Sequence, residues 1–400
     1  MAAKAYTLKA LTDIWTGDAK GKPDRTIATG LLGSIRWWFE VLVRGLGGSA
    51  CDPTRDGNHC PDHRKKPTDP GHHCVVCEFF GCTGWARKFR FEVLDQSGKT
   101  KAAQIKKDDV LQFRFTALRP VCKQEWALLD LTLRLIAEYG AIGGKTVYKP
   151  SDEPGLADLD MSDFEQSNGD VCVRRSRKGL PLQKDDILLE VGRKSISSLQ
   201  DLRDACNGRF HGEPVSVNLK RGSDTAEIEA WFGKRHHVDY GVIQVVETSP
   251  SLLPSDRKQL DSYILQERWR KSKHDDFAWA SVANFWCVKG KYLARQEPNA
   301  SSFNKAIGRR ESKGQSQRLS ANDDVNRWLA GSQQRSKKIF SFKEPPQARR
   351  TFGFVKPGTV DFNEISRRLK TVWTGFEDQE FLEGNTILGQ LLPGSSGGGL

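Results

Sequence analysis

The sequence predicts an α+β protein in which an opening strand and two strongly apolar helices flank a metal-binding loop. Three observations carry this. Residues Tyr6 to Leu11 alternate polar and apolar side chains, the period of a half-buried strand. Leu32, Ile35, Phe39 and Leu42 recur at helical spacing, as do Trp126, Leu129, Leu133 and Ile136. Between the two helices lies a polar stretch dense in cysteine and histidine.

At 400 residues, two or three domains are expected. A hydrophobic fraction of 37%, with 37 glycines and 17 prolines, suits a loop-rich globular chain. No run approaches the roughly 18–20 apolar residues that span a bilayer, so no membrane partner is expected. Met1-Ala2-Ala3-Lys4-Ala5-Tyr6 lacks an apolar signal core, which makes the cytoplasm the expected compartment. Sixty-two Lys and Arg against 50 Asp and Glu give a net charge of +12. That surplus attracts polyanions, chiefly RNA or DNA, by counterion release. A basic but merely soluble surface satisfies the charge equally well.

After the first strand, a basic loop holding Asp18 and Asp24 leads into the helix Leu31 to Arg44, where Arg36 and Arg44 bracket Glu40. Trp37 and Trp38 beside Arg36 suit either base stacking or a tryptophan-rich core. The loop over residues 51–77 follows. Cys74 and Cys77 stand at C-x2-C spacing, and Cys51 with Cys60 complete a tetrahedral set for structural zinc. A nearby histidine can replace Cys51 or Cys60. The loop carries no H-E-x-x-H or H-x-E pattern, so a catalytic zinc is the weaker reading. Arg87 and Lys88 then open a basic strand. A second strand covers 109–117, and Lys123 to Tyr139 forms a deeply packed helix.

Ala137-Glu138-Tyr139-Gly140-Ala141-Ile142-Gly143-Gly144-Lys145-Thr146 ends that helix. A nucleotide-binding P-loop requires glycine where Tyr139 stands, and it follows a strand rather than a helix. The strand that continues this loop comes only at Val242 to Val246, behind Asp239-Tyr240-Gly241. The interval reads as an insertion that splits one glycine-rich loop. The expected organisation is a first core part at 1–150, an insertion at 151–237, a second core part at 238–392, and a flexible tail or linker at 393–400. Within the insertion, strands at 170–173 and near 187–191, a helix capped by Ser198, and a hairpin over 215–232 resemble a PDZ domain. No carboxylate-binding Gly-Leu-Gly-Phe-like loop precedes Val171, so scaffolding and peptide-adaptor roles both stay open. Arg309, Arg310, Lys313, Arg318, Arg335, Lys337 and Lys338 add basic runs among aromatics, which suit a nucleic-acid surface or a solvated loop.

Four stretches together resemble the RAMP superfamily: Gly33-Ser34-Ile35-Arg36-Trp37-Trp38-Phe39, Cys77-Glu78-Phe79-Phe80-Gly81-Cys82-Thr83-Gly84, the segment Glu138 to Thr146, and Asp239-Tyr240-Gly241. The resemblance is to crRNA-binding subunits of prokaryotic type III CRISPR effector complexes, of the Cmr-type capping kind or an insertion-bearing backbone subunit. It covers 1–150 and 238–250 and fades beyond about residue 255. It implies a ferredoxin-like, RRM-related fold, with crRNA, target RNA and other effector subunits as partners. Arg36, Gly143, Gly144 and Lys145 are the implied guide contacts, with Arg87 and Lys88 beside them. Some superfamily backbone subunits cleave target RNA with an acidic loop residue, a place that Asp18 or Asp24 would take here.

Overall fold

A computed structural model of the chain describes residues 3–17, 25–52, 59–144, 147–148, 158–159, 161–176, 181–206, 214–232, 238–248, 257–271, 277–294, 302–308, 324–331 and 336–392. Strand β1 (Ala3–Ala10) precedes helix α1 (Ala28–Gly45) and the short helix α2 (Val75–Phe80). Strands β2 (Phe89–Leu94) and β3 (Val110–Ala117) and helix α3 (Lys123–Tyr139) follow. A fourth strand, Ile243–Thr248, completes an antiparallel sheet in the order Ile243–Thr248, β1, β3, β2. With the first strand central and the second at an edge, this is the ferredoxin-like βαββαβ arrangement.

Alternation decides which face of the sheet the helices cover. Tyr6 and Leu8 of β1, and Leu111, Phe113 and Phe115 of β3, are buried. Thr7, Lys9, Gln112, Arg114 and Thr116 point the other way. The buried face gathers rings from three elements, with Phe115 near Phe89 (5.2 Å), Phe91 (4.9 Å) and Tyr6 (5.9 Å). The opposite face of the described strands carries no aromatic ring, so it lacks the stacking platform that an RNA-binding RRM sheet presents.

Past residue 277 the same order recurs. Strands Phe285–Lys289, Ile339–Phe342, Arg350–Phe354 and Leu382–Glu383 form a second antiparallel sheet. Its spatial order is 339–342, 350–354, 285–289, 382–383, again with the first strand inside and the second at the edge. Helices Ser302–Ala306 and Asp324–Ala330 lie between its first two strands, and Phe362–Lys370, capped by Asp361, follows the third. Read as sequence, this half is poorly defined, and the structure shows why. Phe285-Trp286-Cys287-Val288 is buried on both faces, so no alternation marks it as a strand.

The chain divides into two compact units, 1–146 with 239–400, and 147–238. The second unit is a sheet in the order Asp158–Leu159, Asp224–Phe232, Pro214–Arg221, Ile187–Val191, Asp170–Val173, Phe164–Ser167, with Lys194–Ser195 added to Ile187–Val191. Its helix Leu199–Cys206 is capped by Ser198, whose hydroxyl accepts from Asp201 N at 3.1 Å. Residues 164–167 pair with 170–173 across Asn168 and Gly169, which both hold positive φ (51° and 87°), the signature of a tight two-residue hairpin turn. The described residues include no helix long and apolar enough to cross a membrane.

Phe115→Ala should cost about 3–5 kcal/mol, because it empties a fully buried aromatic site. Leu118→Ala, at 57% exposure, should stay within about 0.5 kcal/mol. Urea unfolding of the two variants beside wild type checks both values.

Candidate metal centre and glycine-rich loop

Cys51 lies beyond the end of α1, Cys60 in the following loop, Cys74 at the N-cap of α2 and Cys77 in its first turn. All four are buried and none is in a disulfide. Their sulfurs lie within 4.8 Å of one another, with Cys51 and Cys77 at 3.6 Å. A tetrahedral zinc with bonds of about 2.3 Å needs sulfurs about 3.8 Å apart, so a small contraction closes the set. The thiols also share charge. Hydrogen bonds from Cys60, Cys74 and Cys77 hold Cys51 far below the usual thiol range, and contact with Cys51 pushes those three up. A bound dication lets all four ionise together. The chemistry of the donor set therefore fits a thiolate-held metal ion.

Arg36 supports this centre from α1. Its Nη2 donates to Cys77 Sγ at 3.2 Å, its Nη1 to the Gly81 carbonyl at 2.9 Å, and its Nε to Glu40 at 3.1 Å. Burial pushes the Glu40 carboxyl up to about 7, against the pull of Arg36 and Arg44. Every nitrogen of the Arg36 guanidinium thus faces a protein acceptor. Its charge offsets thiolate and carboxylate, rather than projecting from the surface as a guide contact would.

Lys88 is equally committed. Its ammonium meets Glu78 at 2.5 Å and Glu125 at 2.8 Å and is 11% exposed. The chain of contacts continues from Glu78 to His73 (2.6 Å) and from Glu125 to the Tyr263 hydroxyl (2.7 Å). Burial raises the Glu78 carboxyl, but hydrogen bonds from His73 and Lys88 outweigh it and bring the group down to about 2. His73 also bonds His72 and stacks on Trp85, so these two histidines brace the loop beside the thiols. Arg87 is half-buried, and no hydrogen bond or ion pair within the described residues holds its guanidinium.

The glycine-rich loop packs on protein. Trp38 Nε1 donates to the Ala141 carbonyl at 2.9 Å. Gly143 N donates to Ser34 Oγ at 3.1 Å, and Gly144 N to the Trp15 carbonyl at 2.9 Å. Both amides expected to hold guide phosphates are therefore spoken for. Gly143 has φ of 109°, and a Cβ there would stand 2.7 Å from the Trp15 carbonyl oxygen. At Gly241, φ is 83° and a Cβ would meet the Ile142 carbonyl at 1.9 Å. Ile142 N donates to Gly241 O at 2.9 Å, so residues on either side of the insertion meet directly. Lys145, Asp18 and Asp24 lie outside the described residues, as do Arg309, Arg310, Lys313, Arg318 and Arg335. Lys338, from the last basic run, is buried over Trp279 (4.8 Å) and Trp328 (4.6 Å), so it serves the core rather than a nucleic-acid surface.

Sequence reasoning missed Ser34, Trp15 and Tyr263 as supports of these sites. Glu40 was open to inference, since it stands four residues after Arg36 on one helix. Nothing in the sequence pairs Tyr263 with Glu125, 138 positions away.

Residues 7–148 match the RAMP superfamily model. The matched segment spans 142 of the 400 residues. It holds all of the thiol centre, and its ferredoxin-like sheet is closed by a strand from beyond the insertion. Among solved structures, the apo crystal structure of Cmr1 from Pyrococcus furiosus is 13% identical, with a TM-score of 0.24. The alignment covers 36% of this chain and 46% of that one, less than half of either. No curated protein matches the chain.

Two outcomes follow from the geometry. Arg36→Ala should weaken metal retention about 10–100-fold, the usual effect of losing a group that supports a ligand. Competition with a chromogenic chelator measures it. Lys88→Met leaves the buried Glu125 and the half-buried Glu78 without their shared cation, and should destabilise the fold by about 3–5 kcal/mol in urea at neutral pH.

Proposed function

We propose that this chain is a crRNA-binding structural subunit of a type III CRISPR ribonucleoprotein, helping to assemble the guide and position target RNA. The observation that carries the reading is the RAMP-superfamily match over the ferredoxin-like half, in a chain whose net charge of +12 favours a polyanionic partner. The Pyrococcus neighbour is named a Cmr-type protein, which agrees with the reading without adding weight to it. In this reading the chain works in the prokaryotic cytoplasm beside other effector subunits.

The metal is zinc and its role is structural. The four sulfurs are buried with no non-thiol ligand among them, which suits a closed site rather than one keeping a position for water. Cys51, Cys60, Cys74 and Cys77 would hold the ion, which pins a polar loop to α1 and α2. The inserted unit serves as a PDZ-like scaffold, built on a core of Leu188, Val191, Leu202, Val217 and Leu219.

Purification from the native host, with sequencing of the co-purified RNA, tests the proposal. Repeat-derived guides and co-purifying effector subunits are the expected result. The binding constant for such a guide should fall linearly on a log–log plot against salt, with a slope of about −0.7 for each phosphate neutralised. Absence of RNA from the purified complex, together with salt-independent binding in vitro, would sink it.

A further inference from the structure

We propose that a cavity of about 350 Å³ at the junction of the two ferredoxin-like halves is a binding site for a phosphate ester. It opens between the edge strand Ile243–Thr248 of the first sheet and the strands Phe285–Lys289 and Arg350–Phe354 of the second. Arg134, Lys289, Arg349 and Arg350 line it, and Glu138 is its one carboxylate. Its volume lies in the roughly 300–1,000 Å³ range of small-molecule sites.

The placement of these cations is costly without an anion. Lys289 and Arg350 stand directly opposite each other on neighbouring antiparallel strands. Like charges in that register repel. Arg350 is 4% exposed, and its hydrogen-bond partners are the carbonyls of Ala137 (2.7 Å) and Ala348 (3.1 Å); among the described residues no carboxylate bonds it, and Glu138 acts on it only through space. The Ala137 carbonyl lies in the last turn of α3, whose dipole offers partial negative charge. That contact accounts for some donors of the guanidinium but does not cancel its full charge, and burial lowers its basicity.

The other cations are no better neutralised. Lys289 is exposed, with its ammonium 4.0 Å above the Tyr139 ring. Arg349 bonds the Lys343 carbonyl and lies over Tyr292. Arg134 has a distant pair to Glu138 at 4.0 Å, a through-space attraction to Asp130, and a bond to the Leu391 carbonyl. Buried charge is ordinarily paired, and a phosphate entering here supplies the missing partner. Guanidinium forks suit its oxygens, and the side chains of Gln244 and Gln347 at the wall add amide donors.

A phosphate ester reaches this site either as a diester of an RNA backbone or as a free nucleotide. That the phosphate belongs to RNA rests on the function proposed above. The test uses the full chain and a Lys289→Ala/Arg349→Ala double variant, which leaves buried Arg350 in place. Fluorescence anisotropy of a labelled single-stranded RNA across a salt series is one arm; calorimetric titration with inorganic phosphate and with a mononucleotide is the other. Thermal melting confirms that the variant is folded. The expected result is that wild type binds RNA, and that the double variant binds about tenfold or more weakly, with a salt slope shallower by about 0.7–1.4, one or two phosphate contacts. If wild type fails to bind RNA but takes up the mononucleotide, and the double variant does not, the site stands and the RNA reading falls. If the variant matches wild type in both arms, whether or not RNA binds, the site is overturned. Arg350→Lys keeps the charge and should retain binding better than Arg350→Met. Equal loss in both folded variants would contradict a charge-based site.

Discussion

The indole of Trp38 ties together the parts on which the rest of this chain depends. Its Nε1 donates to Ala141 in the glycine-rich loop, and its ring meets Phe285, Phe352 and Phe354 of the second half at 5.7, 5.9 and 6.4 Å. One side chain of α1 thus fixes the loop and the second sheet to the first. Two residues earlier, Arg36 turns to the four thiols. Two residues later, Glu40 answers Arg36 from inside the core. Helix α1 is therefore less an RNA-facing helix than an internal spine. The Gly-x-x-Arg-Trp-Trp stretch has a packing reason at Ser34, Arg36 and Trp38, independent of any ligand.

How much of this was legible depends on the range over which each signal acts. The two long helices and β1 are local patterns, and the structure places them where the periodicity does. The four cysteines are also a local signal, since two stand three apart and the others sit in one polar loop. The direction of Arg36, Lys88 and Lys338 was not legible. A basic residue beside aromatics reads the same on a surface as in a core. What separates the cases is a partner distant in sequence: Cys77 for Arg36, Glu125 for Lys88, Trp279 for Lys338. The second ferredoxin-like half was hidden for a different reason, because its inner strands Phe285–Lys289 and Arg350–Phe354 are buried on both faces along almost all their length and so lack an alternating pattern. Its repeat becomes visible only through strand order.

The glycine-rich loop shows how one residue type answers two demands that sequence cannot separate. Glycines that let backbone approach a phosphate also let backbone approach backbone. Here Gly143 and Gly241 fit close against Trp15 and Ile142, and the amides of Gly143 and Gly144 are spent on Ser34 and Trp15. The loop's described residues form a close-packed seam where the chain leaves for the insertion and returns.

That seam shifts where an anion would be met. Of the expected donors, Arg36, Lys88 and the two loop amides are satisfied by the protein itself. Cations outnumber carboxylates instead at the junction of the halves, where Lys289 faces Arg350 across a strand pair. Repulsion held in a fold must be offset by something. Arg36 illustrates the internal solution, with a carboxylate and thiolates brought to it from three segments. Among the described residues one carboxylate lines the junction against four cations, so the protein supplies only part of such a solution there. A ligand carrying negative charge is the remaining one, and the same excess that attracts a polyanion over distance would then also hold it at contact.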